Sequence, residues 1–151
     1  MPAKLFDVNV WLALAFHTHP AHVLVKEQFE MASSEAPAVF CRATQQSFLR
    51  LVTTPTMQKC YGSEKINNDL AIERWKYLAA MPQVLFLGEP PDLQTHWFAY
   101  ARSKIPAPKV WMDAYLAAFA RSYGIQLTTL DDDFLDFEGL DLQLLAMGAD
   151  A

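Results

Sequence analysis

The chain has 151 residues, which fits a single domain over residues 1–151 and leaves little room for a second. Apolar and aromatic residues make up 52% of the sequence and charged residues 19%, a balance that excludes an intrinsically disordered chain. The formal net charge of −5 argues against a protein whose main task is a sequence-independent grip on nucleic acid, because such proteins are usually basic.

Short apolar runs alternate with longer runs of helical periodicity along the chain. The predicted elements, in chain order, are a strand at 4–8 that continues into a helix, a helix at 21–32, a strand at 38–41, a helix at 44–52, a helix capped by Ser63 and Glu64 and running to about 80, a strand at 84–87, a helix ending near 103, a helix at 110–123, a strand at 125–129 and an edge strand at 140–145. The segment between the helices at 44–52 and 63–80 is predicted to be a polar loop.

The alternation of strands with helices determines the fold class. Strands that are apolar on both faces predict a mostly parallel sheet covered by helices on both sides, so the chain is expected to be an α/β protein. Right-handed crossovers then place the carboxyl ends of the parallel strands at one edge of the sheet. Ligands in such folds bind outside that edge, and candidate functional residues are therefore sought there.

The cysteines and the apolar stretches bear on the cellular compartment. Cys41 and Cys60 form no CxxC pair and have no histidine at ligand spacing, which predicts reduced thiols rather than a disulfide or a zinc site. The first apolar stretch contains Asp7 and Asn9 and lacks a basic leader, so no signal peptide is predicted. The other apolar stretches are too short to span a bilayer, and we therefore expect a cytoplasmic protein without a membrane partner.

Acidic residues from three separate stretches fall at the predicted carboxyl edge. Asp7 closes the first strand, Asp113 lies in the first turn of the helix at 110–123, and Asp131, Asp132 and Asp133 follow the fourth strand. Each acid also has a structural alternative: a helix N-cap for the first, a partner of the helix dipole for the second, and a solvated turn for the run of three. Asp113 nevertheless lies on a helix that is apolar nearly all round, where a charge needs a partner.

Together these acids predict a metal site. Carboxylates gathered in a partly dry cleft repel one another, so the pKa of at least one of them rises unless a cation neutralises the group. Magnesium binds one or two carboxylates together with waters and substrate phosphate. Because such an ion lowers the pKa of a bound water and stabilises charge on a phosphate oxygen, hydrolysis of a phosphodiester is the reaction expected.

Four stretches of the sequence resemble the VapC-type PIN-domain toxins, in the order and at the intervals of that family. They are LFDVNV at 5–10, FLRLVT at 48–53, DAYLAA at 113–118 and LTTLDDDF at 127–134. The resemblance covers essentially the whole chain. It implies an α/β/α sandwich and a magnesium- or manganese-dependent endoribonuclease. It also implies a small antitoxin that wraps the toxin and blocks its active site, within a homodimer or a toxin–antitoxin hetero-oligomer.

The resemblance also assigns roles to single residues. Carried over by position, Asp7, Asp113 and Asp131 are the catalytic, metal-binding acids, and Asp133 is a possible fourth ligand. The family further implies that Asn9 forms a hydrogen bond near Asp7 and that the Thr129 hydroxyl orients the acidic loop.

One stretch departs from the family pattern. The family usually carries a glutamate a few residues before the stretch at 48–53, whereas this chain has Gln45 and Gln46 and no acid there. A glutamine can bind a metal-held water through its carbonyl oxygen but adds no negative charge, so Gln46 is assigned a supporting role. Arg42, which follows the second strand, is a candidate contact for RNA phosphate because its planar fork suits phosphate oxygens; a surface arginine without a role is the open alternative.

Two other functions compete with the nuclease. A PIN-like fold that holds RNA or a partner protein without cutting is suggested by the missing glutamate, although three intact acids would have no purpose in a pure binder. A flavodoxin-like protein is set aside because the residues after the first strand offer no glycine- or hydroxyl-rich phosphate loop. His17, His19 and His22 are predicted to be surface or capping residues, and the aromatic residues at helical spacing to be core or a groove for a partner.

Overall fold

The computed structural model describes residues 3–62 and 65–146, and within them five strands form one parallel sheet in the order β3-β2-β1-β4-β5. The strands are β1 (Lys4–Phe6), β2 (Ala38–Phe40), β3 (Val84–Phe86), β4 (Gln126–Thr129) and β5 (Leu142–Leu144). The helices are α1 (Val8–Ala15), α2 (His22–Met31), α3 (Arg42–Val52), α4 (Pro55–Tyr61), α5 (Asn68–Ala79), α6 (Leu93–Ala101) and α7 (Val110–Tyr123), and a 3₁₀ helix covers Asp132–Asp136. The predicted α/β class, the parallel sheet and the fifth strand at the edge are confirmed.

Alternation of side chains along the strands produces the three layers of the α/β/α sandwich. Phe6 and Phe40 pack in a buried cluster with α1, α2, α3 and α5 on one face of the sheet. Leu5 and Leu127 lie on the opposite face and pack with α6 and α7. Because successive residues of a strand point to opposite faces, one short strand supplies core to both helical layers.

The first layer is held to the sheet by a stack of aromatic rings. The indole of Trp11 on α1 lies parallel to the ring of Phe40 on β2, with the ring centroids 3.8 Å apart. Phe6 and Phe29 contact the same indole at centroid distances of 5.0 and 6.1 Å. Trp11 is fully buried, and an aromatic side chain of this size contributes several kcal/mol when it is removed from water (~3–5 on truncation). The start of α1, directly after Asp7, is therefore held firmly against the sheet.

Helix α7 forms the centre of the second layer and has both predicted ends. It buries a broad face of small and apolar residues against the sheet, and it stops where Gly124 takes the left-handed conformation with φ of 66°. A residue with a side chain rarely adopts that conformation, so the glycine terminates the helix and the chain turns directly into β4.

Two helices differ from the prediction. The segment predicted as a polar loop contains α4, which starts with Pro55 in its first turn and with Thr54 as its N-cap. Because α4 has no buried residue, it leaves no hydrophobic periodicity to read. Helix α5 begins at Asn68, where the Asn67 side chain accepts a hydrogen bond from the Leu70 amide, whereas Ser63 and Glu64 lie outside the described residues.

Within the described residues, no helix combines the length and the apolar character that crossing a bilayer would require.

Candidate metal centre

The acidic residues lie at the carboxyl ends of the two central strands. Asp7 follows β1, Asp131 follows β4, and Asp113 lies in the first turn of α7. Leu5 and Leu127 face the α6–α7 layer, and two residues later Asp7 and Thr129 face the same layer because the backbone remains extended. The pleat of the strands therefore directs these side chains toward the start of α7.

Three of the predicted acids converge. One carboxylate oxygen each from Asp113, Asp131 and Asp133 lies within 4.8 Å of the other two. Asp113 and Asp131 are half-buried, whereas Asp133 is exposed. Asp132, between the two loop acids, is exposed and outside this group, which agrees with the expectation that part of the 131–133 run is a solvated turn.

Asp7 is adjacent to this group but is held by other partners. Its Oδ1 accepts a hydrogen bond of 2.7 Å from the Val8 amide, and its Oδ2 accepts one of 2.8 Å from the Thr129 hydroxyl. Asp7 is thus the N-cap of α1, the structural alternative considered for it, and it lies beside the acids as well. Burial raises the pKa of Asp7, the two hydrogen bonds oppose that rise, and the charge of Asp131 adds to it.

The Thr129 hydroxyl joins the two strands to the acidic loop. It donates to Asp7, and its oxygen accepts hydrogen bonds from the Asp131 amide at 3.0 Å and from the Asn9 side-chain amide at 3.4 Å. The carbonyl oxygen of Asn9 in turn accepts from the Leu130 amide at 3.3 Å. Asn9 therefore approaches Asp7 through Thr129 rather than by a direct hydrogen bond.

The loop after Thr129 is closed by its own first acid. Oδ1 of Asp131 accepts a hydrogen bond of 2.9 Å from the Asp133 amide and caps the 3₁₀ helix. This contact leaves the other oxygen of Asp131 free of any hydrogen bond within the described residues. The local turn thus sets the spacing between the two loop carboxylates.

Repulsion between the acids is visible at Asp113. Burial at the start of α7, followed by the charges of Asp7, Asp131 and Asp133, raises the pKa of Asp113 to about 6. A cation bound between these carboxylates would remove the repulsion. The donor set consists of carboxylate oxygens, which are the ligands that Mg²⁺ and Mn²⁺ prefer. The residues present therefore fit a hard divalent cation, with Asp113, Asp131 and Asp133 as the candidate ligands and Asp7 beside them.

The glutamines of α3 occupy different environments. Gln45 is buried, and its Oε1 accepts a hydrogen bond from the Arg42 guanidinium. Gln46, which was assigned the supporting role, is exposed. Gln45 lies three residues before the buried Phe48 and therefore falls on the buried face of α3, together with Thr44 and Val52. The helical period of this face distinguishes Gln45 from Gln46.

Arg42 lies at the carboxyl edge, as its position after β2 predicts. It is exposed, and its guanidinium carbon lies 4.8 Å from the centroid of the Phe86 ring, at the end of β3. Both the ring and Gln45 limit the freedom of this side chain. The cation is therefore held in place while its outer face remains accessible.

A groove with an open volume of about 830 Å³ lies away from the acids, between α1 and α2 on one side and α3 to α5 on the other. Much of its lining is apolar or aromatic and includes Leu14, Phe16, Phe29, Phe48, Val52, Tyr61, Ile66 and Leu78. His17 and His22 also line it, with ring centroids 5.0 Å apart. His19 accepts a hydrogen bond from the Ala21 amide at the turn before α2, so the three histidines belong to the groove and its turn.

Comparison with known proteins shows one family. The sequence-family model of the PIN domain matches residues 4–140 of this chain. Ribonuclease VapC41 of Mycobacterium tuberculosis is 43% identical over 146 residues, which cover 94% of this chain and 98% of that protein.

Solved structures share the fold. VapBC2 from Rickettsia felis, bound to a DNA fragment from its promoter, matches with a TM-score of 0.68 and 11% identity over 95% of this chain and 99% of the other. VapBC-1 from Haemophilus influenzae also gives 0.68, with 16% identity over 95% and 98% of the two chains. VapC20 of M. tuberculosis, described as a sarcin-ricin loop cleaving toxin, gives 0.60, with 16% identity over 92% and 99%. At these identities the likeness supports the fold alone.

The raised pKa of Asp113 predicts a pH-dependent stability that the Asp113→Asn variant lacks. The pKa of Asp113 in the folded protein, about 6, lies above its ordinary value of 3.8, so the folded state binds more protons between these values. The stability from that protonation is fully present below the ordinary pKa and is lost as pH rises through about 6. Urea unfolding in EDTA should therefore show wild type losing stability relative to Asp113→Asn across this interval.

Asp132→Asn is the matched control for this comparison, because it removes an exposed acid from the same loop. It should keep the wild-type pH dependence. Adding magnesium at neutral pH should raise the unfolding midpoint of wild type and of Asp132→Asn more than that of Asp113→Asn. Parallel stability curves for wild type and Asp113→Asn over the whole interval would contradict the raised pKa of Asp113 that burial and the neighbouring acids cause.

Replacing the Thr129 hydroxyl should loosen the metal site. Thr129→Val keeps the shape of the side chain but leaves Asp7 and the Asp131 amide without a buried partner, at a cost in unfolding free energy of roughly 1–3 kcal/mol. Loss of an outer-shell contact of this kind lowers metal affinity about 10- to 100-fold. Calorimetric titration with magnesium or manganese, together with urea unfolding, measures both effects.

Thr128→Val provides the control at the neighbouring position. Thr128 is also fully buried, but its hydroxyl donates to Gln143 on the opposite face of the sheet. The variant should lose a similar amount of stability and retain the wild-type metal affinity. Equal metal affinities for Thr128→Val and Thr129→Val would exclude the positioning role of Thr129.

Proposed function

The chain belongs to the PIN-domain family, and we propose that it is a divalent-metal-dependent endoribonuclease, the toxin of a toxin–antitoxin pair that a cognate antitoxin neutralises. The observation that carries the proposal is the convergence of Asp113, Asp131 and Asp133 at the carboxyl edge of the sheet. It occurs in a chain that is 43% identical to a ribonuclease over nearly the full length of both proteins. A cluster of acids alone would be compatible with several metal-dependent reactions. The sequence identity to a ribonuclease favours RNA hydrolysis among them.

The four acids have different parts in the proposed site. Asp113, Asp131 and Asp133 would hold the cation directly, because one oxygen of each lies within 4.8 Å of the other two. Both carboxylate oxygens of Asp7 accept hydrogen bonds, from the Val8 amide and the Thr129 hydroxyl. Its charge would attract the cation at short range, and it could coordinate the cation only through lone pairs that these two bonds leave free. We assign Asn9 and Thr129 to positioning, since they hold Asp7 and the acidic loop in register.

A bound Mg²⁺ or Mn²⁺ would supply a water of lowered pKa and would stabilise negative charge on the scissile phosphate. The fold holds the carboxylates together against their own repulsion, and the hydrogen bond from Thr129 favours the ionised form of Asp7 and so opposes the rise in its pKa that burial causes. The third helix carries no acid in place of the glutamate that is usual in the family, and the side-chain oxygen of the buried Gln45 accepts a hydrogen bond from Arg42.

The antitoxin is the second partner in the proposal. The solved relatives include VapBC complexes, which pair a toxin with its antitoxin. The open groove, whose lining includes the partly exposed Leu14, Tyr61 and Leu78, has the apolar character that an amphipathic segment of a partner protein would cover. It lies apart from the acids, so a partner seated there would need to extend along the surface to block the active site.

RNA cleavage should require metal and the converging acids. Incubation of a total tRNA and ribosomal RNA pool with the purified protein is expected to give discrete fragments with magnesium or manganese and none with EDTA. Asp131→Asn should lower the cleavage rate at least ~100-fold because it removes a ligand and loosens the loop. Asp132→Asn removes the same charge from the exposed neighbouring position and should retain cleavage.

The outcomes separate the two candidate functions. Undiminished cleavage by Asp131→Asn, or cleavage in EDTA, would overturn the metal-site mechanism. A folded protein that is free of antitoxin, binds RNA and never cuts it would indicate the binding module that the missing glutamate suggests.

We further propose that Arg42 contacts a phosphate of the bound RNA. Its guanidinium is held by Gln45 and Phe86 at the carboxyl edge and remains exposed. Arg42→Gln should raise KM without a matching fall in kcat, and it should reduce the salt slope of RNA affinity by about 0.7, the value for one phosphate on a single strand. Arg50→Gln, which removes an exposed arginine from the other end of α3, should leave both quantities unchanged.

A further inference from the structure

A stretch of the surface next to the acids is basic although the chain as a whole is acidic. Residues 93–112, which include α6 and the connector to α7, contain Arg102, Lys104 and Lys109 and no aspartate or glutamate. All three cations are exposed, and within residues 3–62 and 65–146 none of them forms an ion pair. Their charges are therefore available to a ligand.

Apolar side chains stand between these cations. Ile105 is 71% exposed, Trp111 is 51% exposed and Phe98 is 44% exposed. Phe98 and Trp111 both pack against the indole of Trp97, with ring centroids 5.4 and 6.1 Å from it, and contiguous exposed apolar side chains of this kind often mark a binding site. We call Phe98, Arg102, Lys104, Ile105, Lys109 and Trp111 the connector surface.

Trp111 is held in place rather than free to move. The indole nitrogen of Trp97 donates a hydrogen bond of 2.9 Å to the carbonyl oxygen of Trp111. The two indoles also meet edge to face, with centroids 6.1 Å apart and an interplanar angle of 79°. Tyr115 packs against Trp97 at 5.5 Å. An aromatic ring fixed in this way can accept a stacked base with little loss of its own freedom.

The connector surface meets the acidic site at Lys109, whereas Trp111 lies on the side of the same helical turn that contacts α6. Lys109 has helical backbone angles, φ −75° and ψ −19°, and precedes Asp113 by four residues. Residues four apart on a helix lie on the same face, with their Cβ atoms about 5–6 Å apart. A phosphate bound by Lys109 would therefore lie within one helical turn of the candidate metal ligands.

From this arrangement we infer that the connector surface binds the single-stranded RNA segment next to the scissile phosphate, with Lys104 and Lys109 on phosphates and Trp111 against a base. The inference rests on the proposed ribonuclease function and deepens it. Cations along a backbone path combined with exposed rings are the features that single-stranded nucleic acid recognises without sequence preference. They also compensate for the repulsion that a chain of net charge −5 exerts on a polyanion.

A second copy of this chain is a poorer occupant of the same surface. A two-fold dimer contact places the same patch of both copies face to face. Here that would bring the three cations of each copy together, with no acid inside residues 93–112 and only Asp92 and Asp113 at the two ends of the stretch to pair with them. Charge complementarity therefore favours a polyanion.

The test compares two pairs of exposed lysines for RNA binding. Lys104→Ala/Lys109→Ala is measured against Lys59→Ala/Lys65→Ala, which removes the same charge elsewhere. Both are made in an Asp113→Asn background, and fluorescence anisotropy follows a labelled, unstructured RNA of mixed sequence from low to moderate salt. Removing the connector lysines should reduce the slope of log affinity against log salt by about 1.4, for two phosphates. The Lys59 and Lys65 pair should leave the slope unchanged.

A second set of variants tests the ring. Trp111→Ala should weaken the same binding roughly 5- to 100-fold, the range for one stacked base, whereas Trp111→Phe should retain most of the affinity. Tyr77→Ala removes another exposed aromatic residue, 71% exposed on α5, and should have no effect. Thermal unfolding of each variant shows whether the fold is intact.

The result for the connector surface can be read separately from the result for the nuclease. If the protein with Asp113 intact cleaves RNA and its KM is unchanged in Lys104→Ala/Lys109→Ala and Trp111→Ala, the inference is wrong and the nuclease stands. If binding depends on these residues but no cleavage occurs with any metal, the connector surface stands and the nuclease falls. If Trp111→Ala alters self-association by light scattering and leaves RNA binding unchanged, the surface belongs to a protein contact and the inference is overturned.

Discussion

The hydrogen bond from the Thr129 hydroxyl to Asp7 is the contact on which the acidic site depends. It joins the two central strands at the end where both deliver an acid, and the same hydroxyl oxygen receives the amide of Asp131. Without that oxygen, the buried carboxylate of Asp7 and the partly buried amide of Asp131 would each lose a partner, at a cost that a neutral side chain of the same shape cannot recover. One buried hydroxyl therefore sets the position of the acids on both strands.

The carboxylates of the site repel one another. Asp113 lies where burial and three neighbouring carboxylates all disfavour its charge, and its pKa rises accordingly. The rest of the fold supplies the free energy that holds the group together, chiefly through the aromatic core around Trp11 and the small-residue face of α7. Cation binding to such a site would be favoured by a large free energy, because the ion would remove the repulsion while the scaffold stays in place.

The acidic chain also has to receive a polyanion. Arg42 at the ends of β2 and β3 and the connector surface at the start of α7 lie near the carboxyl edge. Cations at these two places would allow the centre of the site to remain negative for metal binding while the proposed substrate meets positive charge at its sides. Net charge alone does not reveal this division, since it sums the candidate metal ligands and the residues that would hold RNA into a single value.

The order and type of the main elements follow from the sequence, because apolar periodicity and breakers such as Gly124 act locally, and parallel strands deliver Asp7, Asp113 and Asp131 to one edge. The helix at Pro55 was missed because a helix without a buried face leaves no such pattern. Tertiary structure decided that Asp7 is held by Thr129, a residue 122 positions away, and that Gln45 rather than Gln46 is buried. Periodicity reports which face of an element is apolar, whereas the partners of a polar side chain depend on how distant elements pack, and only the folded chain specifies that.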